Sequence, residues 1–209
     1  MPWEALVPVL RELHSATVIE CGAFDGATAE QVARLLPDAP KVWHAFECDP
    51  RNMERCRANP IYRRPGFHLW PFAIAEDDSV VTLHPSSADG QQWTASSTIC
   101  GPSGEMEKNF SWLRYREEDR LQVESRSLDS FVAEHGIEDI DLLWCDVEGA
   151  ERRIIEGGRR ALAHTRYLFL EVWEAKIFEG MWTYAETLAA LPEFEVVKRF
   201  TGDVLLRRR

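Results

Sequence analysis

The chain has 209 residues, of which 45% are hydrophobic and 28% are charged, proportions that are ordinary for a globular protein. A chain of this length suits a single domain with a full hydrophobic core, so long disordered stretches are not expected. Its formal net charge of −11 disfavours nucleic acid as a partner, because phosphate backbones repel an acidic surface.

Cysteine usage and hydropathy indicate the cellular compartment of the protein. The count of five cysteines is odd and no CxxC pair occurs, so neither a disulfide framework nor a structural zinc site is predicted. The first residues lack the basic and apolar regions of a signal peptide. No apolar run approaches the roughly 20 residues that cross a bilayer. We therefore expect a cytoplasmic protein with reduced thiols and no membrane partner.

Strand-like and helix-like segments alternate along the first half of the chain, which is the pattern of an α/β sheet. The predicted strands are short apolar runs: residues 17–20, 41–46, 67–70, 73–75 and 80–83. Residues 27–36 have apolar positions that share one helical face, and Pro37 ends that helix. Asp49 and Pro50 form an N-cap followed by a proline, which predicts a second helix over residues 50–58.

Residues 85–119 interrupt this alternation. The stretch is rich in serine, glycine and glutamine, and aromatic residues are scattered through it. A loop of this length inside a compact domain usually has a function. We expect it to form a lid that covers a substrate, although a plain surface loop would have the same composition.

The second half of the chain returns to alternating segments. The predicted strands are residues 121–125, 140–145, 167–172, 194–200 and 204–207, and the predicted helices are residues 128–134, 150–155 and 175–191. Residues 201–203 join the last two strands as an antiparallel hairpin. No repeat or linker is visible, so residues 1–209 are predicted to form one domain.

A glycine loop with the sequence ECGAFDGAT, residues 20–28, lies between the first strand and the first helix. Its glycines allow a tight turn and let a ligand approach the main chain closely. A dinucleotide fold would have GxGxxG here, whereas this loop has only Gly22 and Gly26 and carries Glu20 before them. That carboxylate suits a ligand with a cationic amine, such as S-adenosylmethionine. An ordinary glycine turn before a helix would give the same loop.

A second acidic residue, Glu47, ends the second predicted strand, 25 residues after Gly22. An acid at this place can accept both hydroxyl groups of a ribose. A surface carboxylate at a strand end is the alternative. Together, loop and acid favour a ligand that contains adenosine.

A third group of acids follows the later strands. Asp146 and Glu148 come directly after one buried strand, and Glu171 ends the next. In open α/β sheets, ligands bind outside these strand ends, so the three are candidates for a general base. An oxygen-rich group also suits a divalent cation, although nothing in the spacing requires one. Alternatively, Asp146 and Glu148 have no catalytic role and lie in the first turn of the next helix, where acidic side chains are favoured.

These stretches resemble the FkbM-type methyltransferases, which methylate hydroxyl oxygens of sugars and natural products. The resemblance is carried by ECGAFDGAT at residues 20–28, AFECDP at 45–50, and SLDSF at 127–131 with DLLWCDVEGAE at 141–151. The serine-rich residues 96–98 are also similar to the family. The lysine that the family has before its DVEG motif is Trp144 here, and the proline that follows its AFE is Cys48.

The resemblance implies the Rossmann-like fold of class I methyltransferases, with a mostly parallel seven-stranded sheet and a C-terminal antiparallel hairpin. It implies an S-adenosylmethionine-dependent O-methyltransferase with a small-molecule acceptor, and it implies that Asp146 lies where the methyl group is transferred. Together with the strand-end acids, this gives Asp146, Glu148 and Glu171 as the predicted catalytic residues. The implied donor contacts are Glu20, Gly22, Ala23, Phe24, Asp25, Gly26, Thr28, Glu47, Cys48, Ala73, Ile74 and Asp146.

Two other functions stay open at this point. A nicotinamide-dependent oxidoreductase of Rossmann type would share the alternating pattern, but the missing GxGxxG argues against it. A binding module that holds S-adenosylmethionine without catalysis would keep the fold alone. The joint presence of Glu20, Glu47 and Asp146 argues against that reading. The oligomeric state is not predicted.

Overall fold

The computed structural model describes residues 16–35, 42–88 and 93–209, together with Pro8 and Arg11. The predicted helix end at Pro37, the first residue of the second predicted strand and residues 89–92 of the predicted lid lie outside these ranges. All further statements concern the described residues.

Strands and helices alternate over most of the described chain. The strands are β1 (Thr17–Cys21), β2 (Val42–Phe46), β3 (Phe67–Trp70), β4 (Ala73–Ala75), β5 (Ser79–Leu83), β6 (Ser86–Ala88), β7 (Leu113–Tyr115), β8 (Leu121–Ser127), β9 (Ile140–Cys145), β10 (Thr165–Glu171), β11 (Phe194–Arg199) and β12 (Asp203–Arg208). The α-helices are α1 (Ala27–Leu35), α2 (Pro50–Ala58), α3 (Gly104–Asn109), α4 (Leu128–Glu134), α5 (Glu151–Gly157), α6 (Arg159–Leu162) and α7 (Tyr184–Ala190). Short 3-10 helices cover Pro60–Arg63 and Glu117–Asp119.

The main sheet has seven strands in the order β11-β12-β10-β9-β1-β2-β3. Strands β10, β9, β1, β2 and β3 run parallel, and β12 pairs antiparallel with both β10 and β11. This arrangement confirms the predicted mostly parallel sheet with its C-terminal hairpin. Because the parallel strands point the same way, β1, β2, β9 and β10 all bring their carboxyl ends to one edge, where α/β proteins bind ligands.

Helices cover both faces of this sheet, so its central strands are apolar on both sides. Alternate residues of β9 show this: Leu143 belongs to one buried cluster and Trp144 to the cluster on the opposite face. Trp144 packs on Phe169 with ring centroids 4.3 Å apart. The position that is lysine in the resembled family is therefore a core position in this chain.

Two smaller sheets were not predicted as separate units. The strands β4, β8 and β5 form a three-stranded sheet in which β4 and β8 are parallel, and β6 pairs with β7 antiparallel. The pattern predicts each of β4, β5 and β8 but not their partners, because pairing between strands far apart in sequence leaves no local signal. The lid segment is also more regular than predicted, since β6, α3 and β7 lie within it.

The prediction of a long helix over residues 175–191 is wrong. Only α7 is helical there, and it begins with a capping box in which Thr183 and Glu186 bond each other's main-chain N–H groups. Gly180 has a φ of +74° and Phe178 pairs with Pro102 in an isolated bridge, so the preceding residues belong to an irregular segment. None of the described helices has both the length and the apolar character that a bilayer crossing requires.

Candidate active site

The glycine loop follows β1 and has a strained main chain. Gly22 and Gly26 have φ values of +89° and +80°, and Phe24 also has a positive φ of 55°. The N–H groups of Gly22 and Ala23 both donate to the carbonyl of Phe46 at 3.0 Å. The loop is therefore folded tightly onto the end of β2, which brings it next to Glu47.

Glu47 holds this loop in place. Its Oε2 accepts the main-chain N–H of Phe24 at 2.9 Å, and its Oε1 accepts that of Asp49 at 2.7 Å. Burial raises the pKa of Glu47 from 4.5 to about 7. Each of its oxygens retains capacity for another hydrogen bond. The predicted contact with a ribose stays a prediction, and the structure adds a second task, which is to connect the loop to the start of α2.

A cavity lies between the glycine loop, the end of β2 and the loop after β9. Seven residues predicted to contact the donor line it: Gly22, Phe24, Glu47, Cys48, Ala73, Ile74 and Asp146. The other predicted contacts, Glu20, Ala23, Asp25, Gly26 and Thr28, do not line this cavity, and their direct contact with a donor stays a prediction.

Glu20 lies behind the loop and is fully buried. The indole N–H of Trp43 donates to its Oε2 at 2.8 Å, while its Oε1 is buried without a hydrogen-bond partner. Burial raises the pKa of Glu20 to about 8. The carboxyl of Glu20 therefore lies beneath the glycine loop, where the indole of Trp43 holds it.

Asp146, Glu148 and Glu171 are brought together by the ends of β9 and β10. One carboxylate oxygen from each lies within 4.8 Å of the others. Burial, followed by the charge of Asp146, raises the pKa of Glu148 to about 8. Burial and the charge of Glu148 hold the pKa of Glu171 well above its ordinary value. We call these three residues the acidic cluster.

The members of the acidic cluster differ in their access to solvent. Asp146 is the most exposed of the three residues. The protein around its carboxyl still removes part of its hydration, which raises its pKa. Glu148 has a φ of +54°, which is rare for a residue with a side chain and is a form of strain found at functional sites. The adjacent Glu151 is buried and accepts the main-chain N–H of Val147 at 3.1 Å, which fixes the turn.

Residues of the lid segment complete the cavity, a contribution that the local pattern does not predict. Ala95, Ser97, Thr98 and Ile99 line it. Thr98 Oγ1 donates to the main-chain carbonyl of Glu148 at 2.7 Å. Ser97 Oγ donates to the buried Asp49 carboxylate at 2.7 Å, and Arg51 bonds both side chains. The only signal for these contacts in the sequence is the serine-rich stretch at residues 96–98.

A second cleft adjoins the acidic cluster on the other side. It is formed by the end of α3, the residues after β10 and the turn between β11 and β12. Glu171 lines this cleft, whereas Asp146 and Glu148 line the first cavity. The acidic cluster is therefore the boundary between two neighbouring spaces.

Comparison with known proteins adds three findings. A family model described as a methyltransferase FkbM domain matches residues 20–197. The 2-O-methyltransferase NoeI of Sinorhizobium fredii (strain NBRC 101917 / NGR234) is 35% identical over 206 residues, which are 95% of this chain and 82% of that protein. Both matches include the glycine loop, Glu47 and the acidic cluster.

Solved structures share the fold at low sequence identity. The crystal structure of methyltransferase FkbM from Methylobacillus flagellatus KT has a TM-score of 0.59 at 14% identity, with 94% of this chain and 44% of that chain covered. This chain thus spans less than half the length of that protein. An rRNA methylase from Streptococcus thermophilus has a TM-score of 0.50 at 10% identity, with 100% and 96% covered.

Proposed function

We propose that this chain, which belongs to the FkbM methyltransferase family and is an S-adenosylmethionine-dependent O-methyltransferase, methylates a hydroxyl group held at the acidic cluster. The observation that carries the proposal is the position of that cluster. Asp146 and Glu148 line the cavity that suits the donor, and Glu171 lines the cleft beside it.

The residues of the first cavity fit S-adenosylmethionine. The donor carries an ammonium and a sulfonium cation, and the cavity presents the carboxyl groups of Glu47, Asp146 and Glu148. Apolar Ala73 and Ile74, both buried, offer a surface for the flat adenine ring. The free acceptor capacity of Glu47 suits the ribose hydroxyls.

When bound, S-adenosylmethionine supplies a methyl group that is already activated by its sulfonium. The protein then has to align the acceptor, exclude water and accept the hydroxyl proton. The acidic cluster is placed for the last of these tasks, and a positioned base contributes about 10²–10⁴-fold in rate. The residues predicted as catalytic, Asp146, Glu148 and Glu171, are retained in that role.

The cluster has a second possible use as a cation site. Three carboxylates with oxygens within 4.8 Å of one another can hold a divalent cation. We propose the base role instead, because the donor itself brings positive charge beside Asp146 and Glu148. Methylation should therefore survive dialysis against EDTA. Loss of activity that Mg²⁺ or Mn²⁺ restores would assign the cluster to a metal.

We also propose that residues 85–119 form a lid over the bound acceptor, that the acceptor is a small molecule, and that nucleic acid is not a partner. The lid residues that line the cavity support the first point. The net charge of −11 supports the absence of a nucleic acid partner.

All five cysteines are free, which favours a reducing compartment such as the cytoplasm.

The proposal is tested with S-adenosylmethionine labelled with ¹³C in its methyl group. The protein is incubated with this donor and a panel of methyl glycosides, and the products are analysed by NMR. We expect one equivalent of S-adenosylhomocysteine per methyl ether formed. Methyl transfer to nitrogen or carbon, or oxidation of NADH by the protein without any methyl transfer, would overturn it.

A further inference from the structure

The second cleft holds two unsatisfied polar groups. Glu171 Oε2 and Trp173 Nε1 are both buried, and neither has a hydrogen-bond partner among the residues that the structure describes. Buried polar groups are nearly always paired, because an unpaired one loses its hydrogen bonds to water without replacement. Both residues line this cleft. A ligand that bonds both groups would replace those hydrogen bonds.

The chemistry of the two groups is complementary. Once the cationic donor favours its ionised form, the Glu171 carboxylate can only accept a hydrogen bond, whereas the indole N–H of Trp173 can only donate one. The two residues are separated by Val172, whose N–H still pairs with the carbonyl of Gly202 at 2.8 Å. The side chains of both residues line the same cleft. One hydroxyl donor and one oxygen acceptor on neighbouring atoms would match this pair.

The walls of the cleft indicate the rest of the ligand. Phe110, which follows α3 in the lid segment, packs edge-on against Trp173 with ring centroids 5.7 Å apart and planes at 89°. Phe200 contributes a third aromatic ring to the lining. Aromatic walls with a few polar groups are suited to a ring that has both apolar faces and hydroxyl edges.

The charges of the cleft disfavour an anionic ligand. Its lining includes Glu171, Glu174, Arg199 and Asp203. Arg199 is paired with Glu174, which leaves two carboxyl groups without a cation from the lining. The pairing of β10 with β12 places Asp203 opposite Glu171, which is a member of the acidic cluster. The carboxyl groups of the cleft are therefore concentrated at its boundary with Asp146 and Glu148.

We infer that this cleft binds the acceptor as a neutral polyhydroxylated ring, with Glu171 on the hydroxyl to be methylated and the indole N–H of Trp173 on the adjacent oxygen. The inference rests on the proposed function and assigns Trp173 as a specificity-determining residue. It places the reacting hydroxyl at Glu171, whose carboxylate lies within 4.8 Å of Asp146 and Glu148 in the donor cavity. The enzyme would thus require two adjacent oxygens on its acceptor.

The test uses Trp173→Phe, which keeps an aromatic ring and removes the N–H. The probe is a methyl glycoside that the wild-type enzyme methylates, compared with its analogue deoxygenated at the neighbouring carbon. A site built to bond an oxygen rejects the analogue that lacks it. We expect kcat/KM to favour the parent glycoside by about tenfold or more in the wild type. In Trp173→Phe the two values should differ by less than about twofold.

Two further variants keep the inference falsifiable. Trp173→His retains a ring N–H and should recover part of the discrimination, which a purely structural role would not explain. Trp182→Phe is the matched control, since Trp182 packs under Arg152 and does not line the cleft. Unchanged discrimination in Trp173→Phe would overturn the inference. If Trp173→Phe does not fold, the wild type and Trp173→His decide the question: both should prefer the parent glycoside, with a smaller preference in Trp173→His. A wild type that methylates the deoxygenated analogue as well as the parent would overturn the inference.

Binding is measured separately from turnover. Quenching of the wild-type tryptophan fluorescence by the glycoside, with S-adenosylhomocysteine present, reports occupation of the cleft. Binding of the glycoside without any methylation would contradict the proposed function while leaving the cleft assignment in place. Methylation with no preference for the adjacent oxygen would contradict the cleft assignment alone. Failure of every glycoside in the panel to bind would overturn the inference.

Discussion

The main-chain carbonyl oxygen of Asp146 lies 1.9 Å from the position that a β-carbon on Gly22 would occupy. The two strand ends are held at this distance by a hydrogen bond from the N–H of Asp146 to the carbonyl of Cys21 at 3.1 Å. The absence of a β-carbon at Gly22 thus allows the glycine loop and the acidic cluster to lie side by side in the wall of the same cavity. The functional consequence is that the two motifs cannot be separated without changing the cavity.

We expect Gly22→Ala to disrupt the cavity. The added methyl group would clash with main-chain atoms, and the φ of +89° would add strain of about 1–3 kcal/mol. Thermal unfolding should show a lower Tm, and calorimetry should show little binding of S-adenosylhomocysteine. Gly104→Ala is the control, because a β-carbon there meets nothing within 4 Å. Equal donor affinity in Gly22→Ala and wild type would refute this view of the loop.

Glu47→Ala should weaken the binding of S-adenosylhomocysteine by at least about tenfold. The change would remove the proposed charge-assisted hydrogen bond to the ribose, and it also frees the N–H of Phe24 that Glu47 fixes. Titration calorimetry measures the effect. Glu54→Ala, an exposed carboxylate on α2, should leave the affinity unchanged. A folded Glu47→Ala protein with wild-type affinity would exclude the ribose contact.

The donor-free protein should lose stability as the pH rises from about 5 to about 8.5. Burial raises the pKa of Glu47 to about 7 and that of Glu148 to about 8, above their ordinary value of 4.5. The folded state therefore binds more protons than the unfolded state in this window, and its stability falls as these groups ionise. Tm measured against pH should decline, with a shallower slope in Glu148→Gln. A Tm that rises across this range would contradict the assignment.

The same titration should distinguish the two forms of the donor. The sulfonium of S-adenosylmethionine favours ionised carboxylates, whereas S-adenosylhomocysteine is neutral at sulfur. The stabilisation by S-adenosylmethionine relative to that by S-adenosylhomocysteine should therefore grow with pH. A constant difference would mean that the acidic cluster does not sense the sulfonium.

Asp49→Asn should loosen the lid. Burial alone would raise the pKa of Asp49, but hydrogen bonds from Arg51 and Ser97 outweigh it and lower the pKa. Asparagine keeps the N-cap of α2 but loses the charge that holds those two partners. We expect a loss of about 1–3 kcal/mol in the free energy of unfolding and faster proteolysis within residues 85–119. Chemical denaturation and a timed digest measure both effects.

The control for this variant is Glu30→Gln, which breaks an exposed ion pair with Arg34 one turn along α1. Such pairs contribute only about 0.3–0.5 kcal/mol. If Asp49→Asn is no more sensitive to protease than Glu30→Gln, the lid is not anchored through Asp49.

The sequence predicts this site where the chemistry is local. The glycine loop, the acid that ends β2 and the acids that end β9 and β10 lie within short motifs, and the α/β order brings strand ends to one edge. The pattern also predicts the cap of α2 at Asp49, which the structure confirms. In each case the residues that form the feature lie within about ten positions of one another, or the parallel order of the strands brings them to the same edge of the sheet.

Contacts across long stretches of sequence are not predictable in this way. Ser97 reaches Asp49 and Thr98 reaches Glu148, pairs separated by 48 and 50 positions. The burial of Glu20 beneath the loop depends on the indole of Trp43 on the neighbouring strand. Composition identifies residues 85–119 as unusual but does not predict that four of them, Ala95, Ser97, Thr98 and Ile99, line the cavity beside the glycine loop. The unpaired N–H of Trp173 likewise becomes visible only with its surroundings.

Single-turnover methyl transfer by Glu171→Gln tests most directly the claim that donor and acceptor meet at the acidic cluster. With saturating S-adenosylmethionine and a glycoside acceptor, we predict a rate about 10²–10⁴-fold below wild type. The affinity for S-adenosylhomocysteine should stay within about threefold, because Glu171 lines the cleft and not the donor cavity. A wild-type rate in Glu171→Gln, or a rate that falls only in proportion to lost donor binding, would contradict the account.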